Sequence, residues 1–396
     1  MINTSKIKQN KFAYLKISIL LFSLAILSYN YAADKLYMDI YVKSMNVVLF
    51  IFAYSAILLF WRNNDVRCDE QKMIQYYFVF SLPALFMSNF LSIDSYMRYI
   101  ALITFSPLGF YAGIEFGRIW AISKKKDIII TLMLVPSLSV SYLILQKGVV
   151  AVIEDSSRDY VFGFLIFVPL LLYYKNKLLS VIFLVLYLYI TIVSLKRTGV
   201  LCVSIVGLGF ALLSFQMNDG RFFRRVFTLI LALLSLGVLY KHMPFISDQI
   251  DRIIYRFENF QDNSNDVRDL MYKQTLRHFE NSSLYNQLFG HGCLGTSRIF
   301  DHPTHNDFLE ILYDYGAIPL LFFVLFVCKY FKRCFITLLN SPTNSILLFV
   351  IISNFLIMSF GSCMITTPYT VFSNMLVLGF SIGCFANEIN QSQYVN

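Results

Sequence analysis

The chain has 396 residues, 57% of them hydrophobic and only 14% charged. A soluble domain carries roughly a quarter charged residues, so this balance, with a mean hydropathy of +0.61, excludes a water-soluble globular protein and predicts an integral membrane protein. The net charge of +9 raises nucleic acid or anionic lipid as partners, but basic residues placed in cytoplasmic loops account for much of it, and no nucleic acid is expected.

In chain order, Lys6, Lys8, Lys11 and Lys16 precede a long apolar segment with no small-residue cleavage site, which is expected to stay as a span. Apolar runs at 16–33, 40–61, 74–93, 99–122, 127–146, 159–174, 177–195, 198–217, 223–240, 306–328, 344–361 and 368–386 make about twelve membrane crossings, each near the ~20 residues a bilayer needs. Only Lys175-Asn176-Lys177 separates the sixth and seventh runs, leaving a broken hairpin open there. With the N-terminus inside, most lysines and arginines fall in cytoplasmic segments, which puts both termini in the cytoplasm. The polar stretch 241–305 is then the one long outer loop, with helical-looking pieces near 248–260 and 266–280. The division expected is 1–240, a bundle of about nine spans; 241–305, the outer loop; and 306–396, a bundle of about three spans.

Cysteine adds little: Cys293 stands alone in the outer loop, and the others read as small packing residues. Lys196-Arg197 interrupts an apolar run on the outer side, where a cation is costly and therefore a functional candidate. Arg158, Arg252, Arg256 and Arg268 share that side. Several arginines facing one outer cavity suit a diphosphate; each taken alone reads equally as a snorkelling or salt-bridged side chain.

The densest chemistry lies in Gly290–Pro319, GHGCLGTSRIFDHPTHNDFLEILYDYGAIP. Gly290, Gly292 and Gly295 spell G-x-G-x-x-G, but no βαβ unit surrounds them, so a dinucleotide site is set aside for a flexible approach to the next helix. Asp301, His302, His305 and Asp307, with His291, invite a metal; Pro303 between the two histidines gives no known ligand spacing, and none is expected. Thr304 and Asp307 read as a capping box that places His305 in the first helical turn, with Gly316 on the same face three turns on. There the helix dipole disfavours a protonated imidazole and keeps His305 available as a general base, while Asn306 and the free first-turn N–H groups help hold an anion. Asp307, Glu310 and Asp314 form a second face that needs partners, either the arginines or sugar hydroxyls.

These residues resemble the bacterial O-antigen ligase and polymerase superfamily. Its signature, His-Asn (or Ser, Gln), then nine residues, then Gly, where a large periplasmic loop enters a late span, fits His305, Asn306 and Gly316. The family then has Gly, Thr or Tyr where this chain has Pro319. Phe289-Gly290-His291-Gly292 is similar to the family's glycine-rich lead-in, Asn265-Asp266-Val267-Arg268 to the start of its loop helix, and Ser194–Gly199 to its mid-chain arginine. The resemblance implies an all-α polytopic, GT-C-like membrane enzyme and a metal-independent, inverting glycosyl transfer without cofactor at the outer face of the inner membrane. His305 would activate an acceptor hydroxyl, and Arg197 and Arg268, with Arg158, Arg252 and Arg256, would bind the diphosphate of an undecaprenyl-linked glycan. A Wzy-type polymerase, with a chain-length regulator as a partner, fits the aromatic-rich chain and compact loop better than a ligase onto lipid A-core. A flippase or other transporter should show related halves or charges along a path across the bilayer, whereas the isolated polar residues here gather at the outer side.

Overall fold

The computed structural model describes residues 68–88, 93–124, 126–134, 162–193, 197–216, 247, 250–252, 254–255, 265–300, 303–361 and 364–393. The spans expected at 16–33, 40–61 and 223–240, and most of 127–146, lie outside the described residues. Every regular element among those described is helical. In order they are α1 (Asp69–Ser81), α2 (Pro83–Met87), α3 (Ile93–Ile122), α4 (Phe162–Leu165) with a 3-10 turn (Val168–Tyr173), α5 (Lys177–Val193) and α6 (Arg197–Gln216). Then come α7 (Asn265–Glu280), α8 (Leu284–Phe289), α9 (Gly295–Phe300), α10 (Asp307–Glu310) widening into a π-helical turn (Ile311–Tyr315), α11 (Ala317–Asn340), α12 (Pro342–Gly361) and α13 (Pro368–Gln393). Among the described residues three stretches are long and apolar enough to cross a bilayer, Arg98–Ala121, Pro342–Gly361 and Pro368–Phe385, and the protein is a multi-pass membrane protein. Leu178, Ile182, Leu208, Leu321 and Phe360 stand exposed on the outside of this bundle, as side chains do where the solvent is lipid.

Small residues set the innermost contact. A Cβ on Gly113 would lie 2.1 Å from the carbonyl oxygen of Leu376, and one on Gly117 2.1 Å from that of Phe380. In return, a Cβ on Gly379 or Gly383 would lie 2.1 Å from the carbonyls of Phe110 and Ile114 respectively. The pairs advance together along both chains, so α3 and α13 run parallel, backbone on backbone. In lipid, where apolar side chains gain little by leaving one apolar medium for another, this close approach supplies the dispersion that holds helices together.

The sixth expected span, 159–174, is not a regular crossing. α4 stops at Leu165, and a 3-10 turn with Pro169 in its first turn follows. Residues 163–174 are buried, which is the condition under which irregular backbone persists at membrane depth. Side chains satisfy its carbonyls: Tyr369 Oη donates to Gly163 O at 2.9 Å, Asn354 Nδ2 to Leu165 O at 3.3 Å and Ser180 Oγ to Leu171 O at 2.9 Å.

Helix α11 ties the two ends of the molecule together. Near its far end Arg333 binds Glu70 of α1 through two hydrogen bonds, Nε to Oε1 at 2.6 Å and an NH2 to Oε2 at 2.7 Å, with Glu70 only 2% exposed. Beside it Lys329 meets Asp69 at 3.0 Å. Ala317 and Arg333 are about 24 Å apart along the axis at ~1.5 Å per residue, close to a bilayer's hydrocarbon thickness of ~30 Å. The ion pair and the Gly290–Pro319 stretch therefore mark opposite ends of the bundle.

Candidate active site

The Gly290–Pro319 stretch folds back on itself through backbone contacts. Ser283 caps α8, its side chain accepting from Asn286 N–H, and α8 ends at Gly290 with φ 82°. From there the chain pairs with the π turn: His291 N–H donates to Tyr313 O at 2.9 Å and Gly292 N–H to Asp314 O at 3.0 Å. A Cβ on Gly290 would sit 2.2 Å from Asp314 O, and one on Gly316, where φ is 97°, 2.3 Å from Leu288 O. Both positions combine a left-handed backbone with no room for a side chain, so glycine is required twice over. The glycine-rich lead-in is thus a clamped crossing, not the flexible approach expected. Cys293 is buried inside it, and its N–H donates to Ser88 Oγ at 2.8 Å.

His305 does not sit in a first helical turn. The N-cap is Asn306, whose Oδ1 accepts from Phe308 N–H at 3.0 Å and Leu309 N–H at 3.3 Å. Thr304 is therefore not the cap, and Asp307 turns away to accept from Ile365 N–H at 3.1 Å. Two of the first-turn N–H groups expected to help hold an anion, those of Phe308 and Leu309, are taken by the cap itself. His305 stands just before the cap with φ 60°, a left-handed conformation rare for a residue with a Cβ and enriched for Asn, Asp and His. The same-face relation to Gly316 also fails. Residues 311–315 are π-helical, with more residues per turn than an α-helix, and Gly316 N–H closes the turn onto Ile311 O and Leu312 O. Pro319 follows in the first turn of α11, where a ring without an N–H is tolerated.

Each of the three acids accepts hydrogen bonds from the protein's own donors. All three are buried. Glu310 accepts from Thr304 Oγ1 at 2.8 Å, from Thr304 N–H and from Thr296 Oγ1. Asp314 accepts from Thr296 N–H at 3.0 Å. A local sequence pattern does not reach these contacts, because α9 enters through a loop whose path depends on the clamped glycines.

Of the expected arginines, Arg197 opens α6 and is half-buried. Its neighbour Thr198 lies against Gly361 at the end of α12, where a Cβ would meet Thr198 Oγ1 at 2.7 Å. The adjacent Phe360 stacks on Phe308 at 4.8 Å between ring centroids. The start of α6 is thereby placed at the same end of the bundle as His305. Arg268 lies half-buried in the first turn of α7, a helix packed on α8 and on the π turn. Arg252 is exposed in the helical residues 250–252, while Arg158, Arg256, Lys196, Asp301 and His302 lie outside the described residues. One further cation escaped the sequence reading: Arg298 of α9 donates to His291 O at 2.7 Å. His291 stacks on Tyr313 with centroids 4.1 Å apart. Its burial pushes the imidazole below the ordinary histidine range, and the charges of Arg298 and His278 push the same way.

His305 in its left-handed turn, the clamped glycines and the start of α6 thus lie at one end of the bundle. No curated protein matches the chain. Residues 182–324, which run from α5 through the clamp and the His305 turn into α11, match the family model Wzy_C, O-Antigen ligase, so this part of the chain is similar to that family's domain.

Proposed function

We propose that the protein is a Wzy-type surface-polysaccharide polymerase, which transfers a growing glycan from undecaprenyl diphosphate onto a new lipid-linked repeat unit at the outer face of the bacterial inner membrane. The observation that carries this reading is the family match over 182–324, which takes in a histidine in a left-handed turn. In the proposed step His305 takes the proton from an acceptor hydroxyl, whose oxygen attacks the anomeric carbon of the donor glycan with inversion. The bond from that carbon to the diphosphate breaks, and undecaprenyl diphosphate leaves as the anion. Arg197 and Arg268, joined by Arg158, Arg252 and Arg256, stabilise that leaving charge as preorganised cations; no metal or cofactor enters the step. Asn306 caps the helix behind the base, and Gly316 permits the crossing beneath it.

The same proposal includes the GT-C-like bundle of about twelve spans, cytoplasmic termini, and the division into 1–240, 241–305 and 306–396. A chain-length regulator is the expected protein partner. Transfer to lipid A-core is the second reading, favoured by the description of the matched family as O-Antigen ligase.

Deleting the gene separates the two readings. In a Gram-negative source, cells without a polymerase still cap lipid A-core with a single repeat unit, and this is the expected lipopolysaccharide profile on a gel. Loss of even that unit would assign the protein to ligation.

A further inference from the structure

Glu310 has no part in the chemistry proposed above, yet it is fully buried beside the base and makes contacts that converge on one short segment. One residue, Thr304, gives it both a backbone N–H and a hydroxyl, while Thr296 of α9 gives a second hydroxyl. Thr304 Oγ1 also lies 3.3 Å from Asn306 O, bridging over His305. On the far side Asn306 is fixed by its two cap hydrogen bonds. His305 is therefore held between two anchored neighbours, at φ 60°. A non-glycine residue stays in that region only where its surroundings over-determine it.

We propose that Glu310 is a positioning residue: through Thr304 it holds His305 in its left-handed conformation and so aims the imidazole. The consequence for turnover rests on the reading of His305 as the base; the consequence for the geometry does not. Glutamine is the informative replacement. Its amide oxygen can take the two Thr304 donors, and its NH2 can donate to the Thr296 hydroxyl in place of accepting from it. Alanine removes both anchors.

The test uses the full-length protein in lipid nanodiscs with ring-labelled histidine. The chain has five histidines, and the His305 signal is identified by its loss in His305→Gln. In Glu310→Ala the His305 signal should shift by more than its linewidth, and in Glu310→Gln it should return toward the native position. Turnover of undecaprenyl-diphosphate-linked oligosaccharide extracted from the source cells should fall roughly 10–100-fold in Glu310→Ala, from misplacement of the base, with KM unchanged and with most activity restored in Glu310→Gln. A folded Glu310→Ala protein with an unmoved His305 signal overturns the proposal, as does a glutamine variant as disturbed as the alanine one. If Glu310→Ala does not fold, Thr304→Val, which drops the hydroxyl anchor and keeps the amide, should give a smaller shift of the same signal; no shift overturns the proposal. A shifted signal with undiminished turnover in both Glu310→Ala and His305→Gln upholds the positioning and rejects His305 as the base.

Discussion

Replacing Glu70 with alanine is expected to lower the melting midpoint of the purified protein by roughly 4–6 °C. Glu70 is 2% exposed and meets the Arg333 guanidinium through two hydrogen bonds of 2.6 and 2.7 Å. Removing the carboxylate leaves a buried cation without its counter-charge, a loss on the order of 3–5 kcal/mol. The double variant Glu70→Leu with Arg333→Met removes both charges and should recover most of that loss. The exposed neighbours set the contrast: Asp69 and Lys329 meet at 3.0 Å with side chains 58% and 36% exposed, and Asp69→Ala should change stability by less than about 1 kcal/mol. Thermal unfolding followed by monodisperse elution in detergent measures all three. An Glu70→Ala protein as stable as the native one would show that this pair does not brace α1 against α11.

His305→Ala is expected to remove long polysaccharide from the cell surface while leaving the amount of protein in the membrane unchanged. A positioned general base contributes typically ~10²–10⁴-fold to rate, a range that takes chain growth below what gel staining detects. The side chain is half-buried, and alanine keeps the backbone and the Asn306 cap, so the effect should fall on chemistry. Polysaccharide profiles and immunoblots of the same membranes make the comparison. Native chain lengths from His305→Ala cells would remove the histidine from the mechanism.

Membrane character followed from the low proportion of charge, and α5, α6, α12 and α13 fall close to the apolar runs that predict them, because a crossing must keep apolar residues over ~20 positions. His305, Asn306 and Gly316 could be singled out because their residue types and spacing are local. Other features depended on contacts between distant segments. The capping-box pattern at Thr304 and Asp307 lost to Asn306, since Thr304 is claimed by Glu310 and Asp307 by Ile365. The same-face argument for Gly316 assumed one continuous α-helix, whereas the chain widens into a π turn and restarts at Ala317. Apolar content alone marked 159–174 as a crossing. Its short helical pieces arise where α4 stops ahead of Pro169 and Tyr369 and Asn354 take up the carbonyls of Gly163 and Leu165. Glu310 was noticed as an acid in a membrane segment, but the partners that give it a task lie on α9 and in the preceding turn.

The central claim, transfer of a lipid-linked glycan by bond formation, is met most directly by purified protein in liposomes. These are supplied with undecaprenyl-diphosphate-linked repeat units from the source cells and with a chelator of divalent cations. The account predicts a ladder of longer glycans still attached to the lipid carrier, release of undecaprenyl diphosphate in step with each added unit, and inversion at the newly formed linkage. Repeat units that cross the liposome bilayer without growing in length would contradict it and identify a transporter instead.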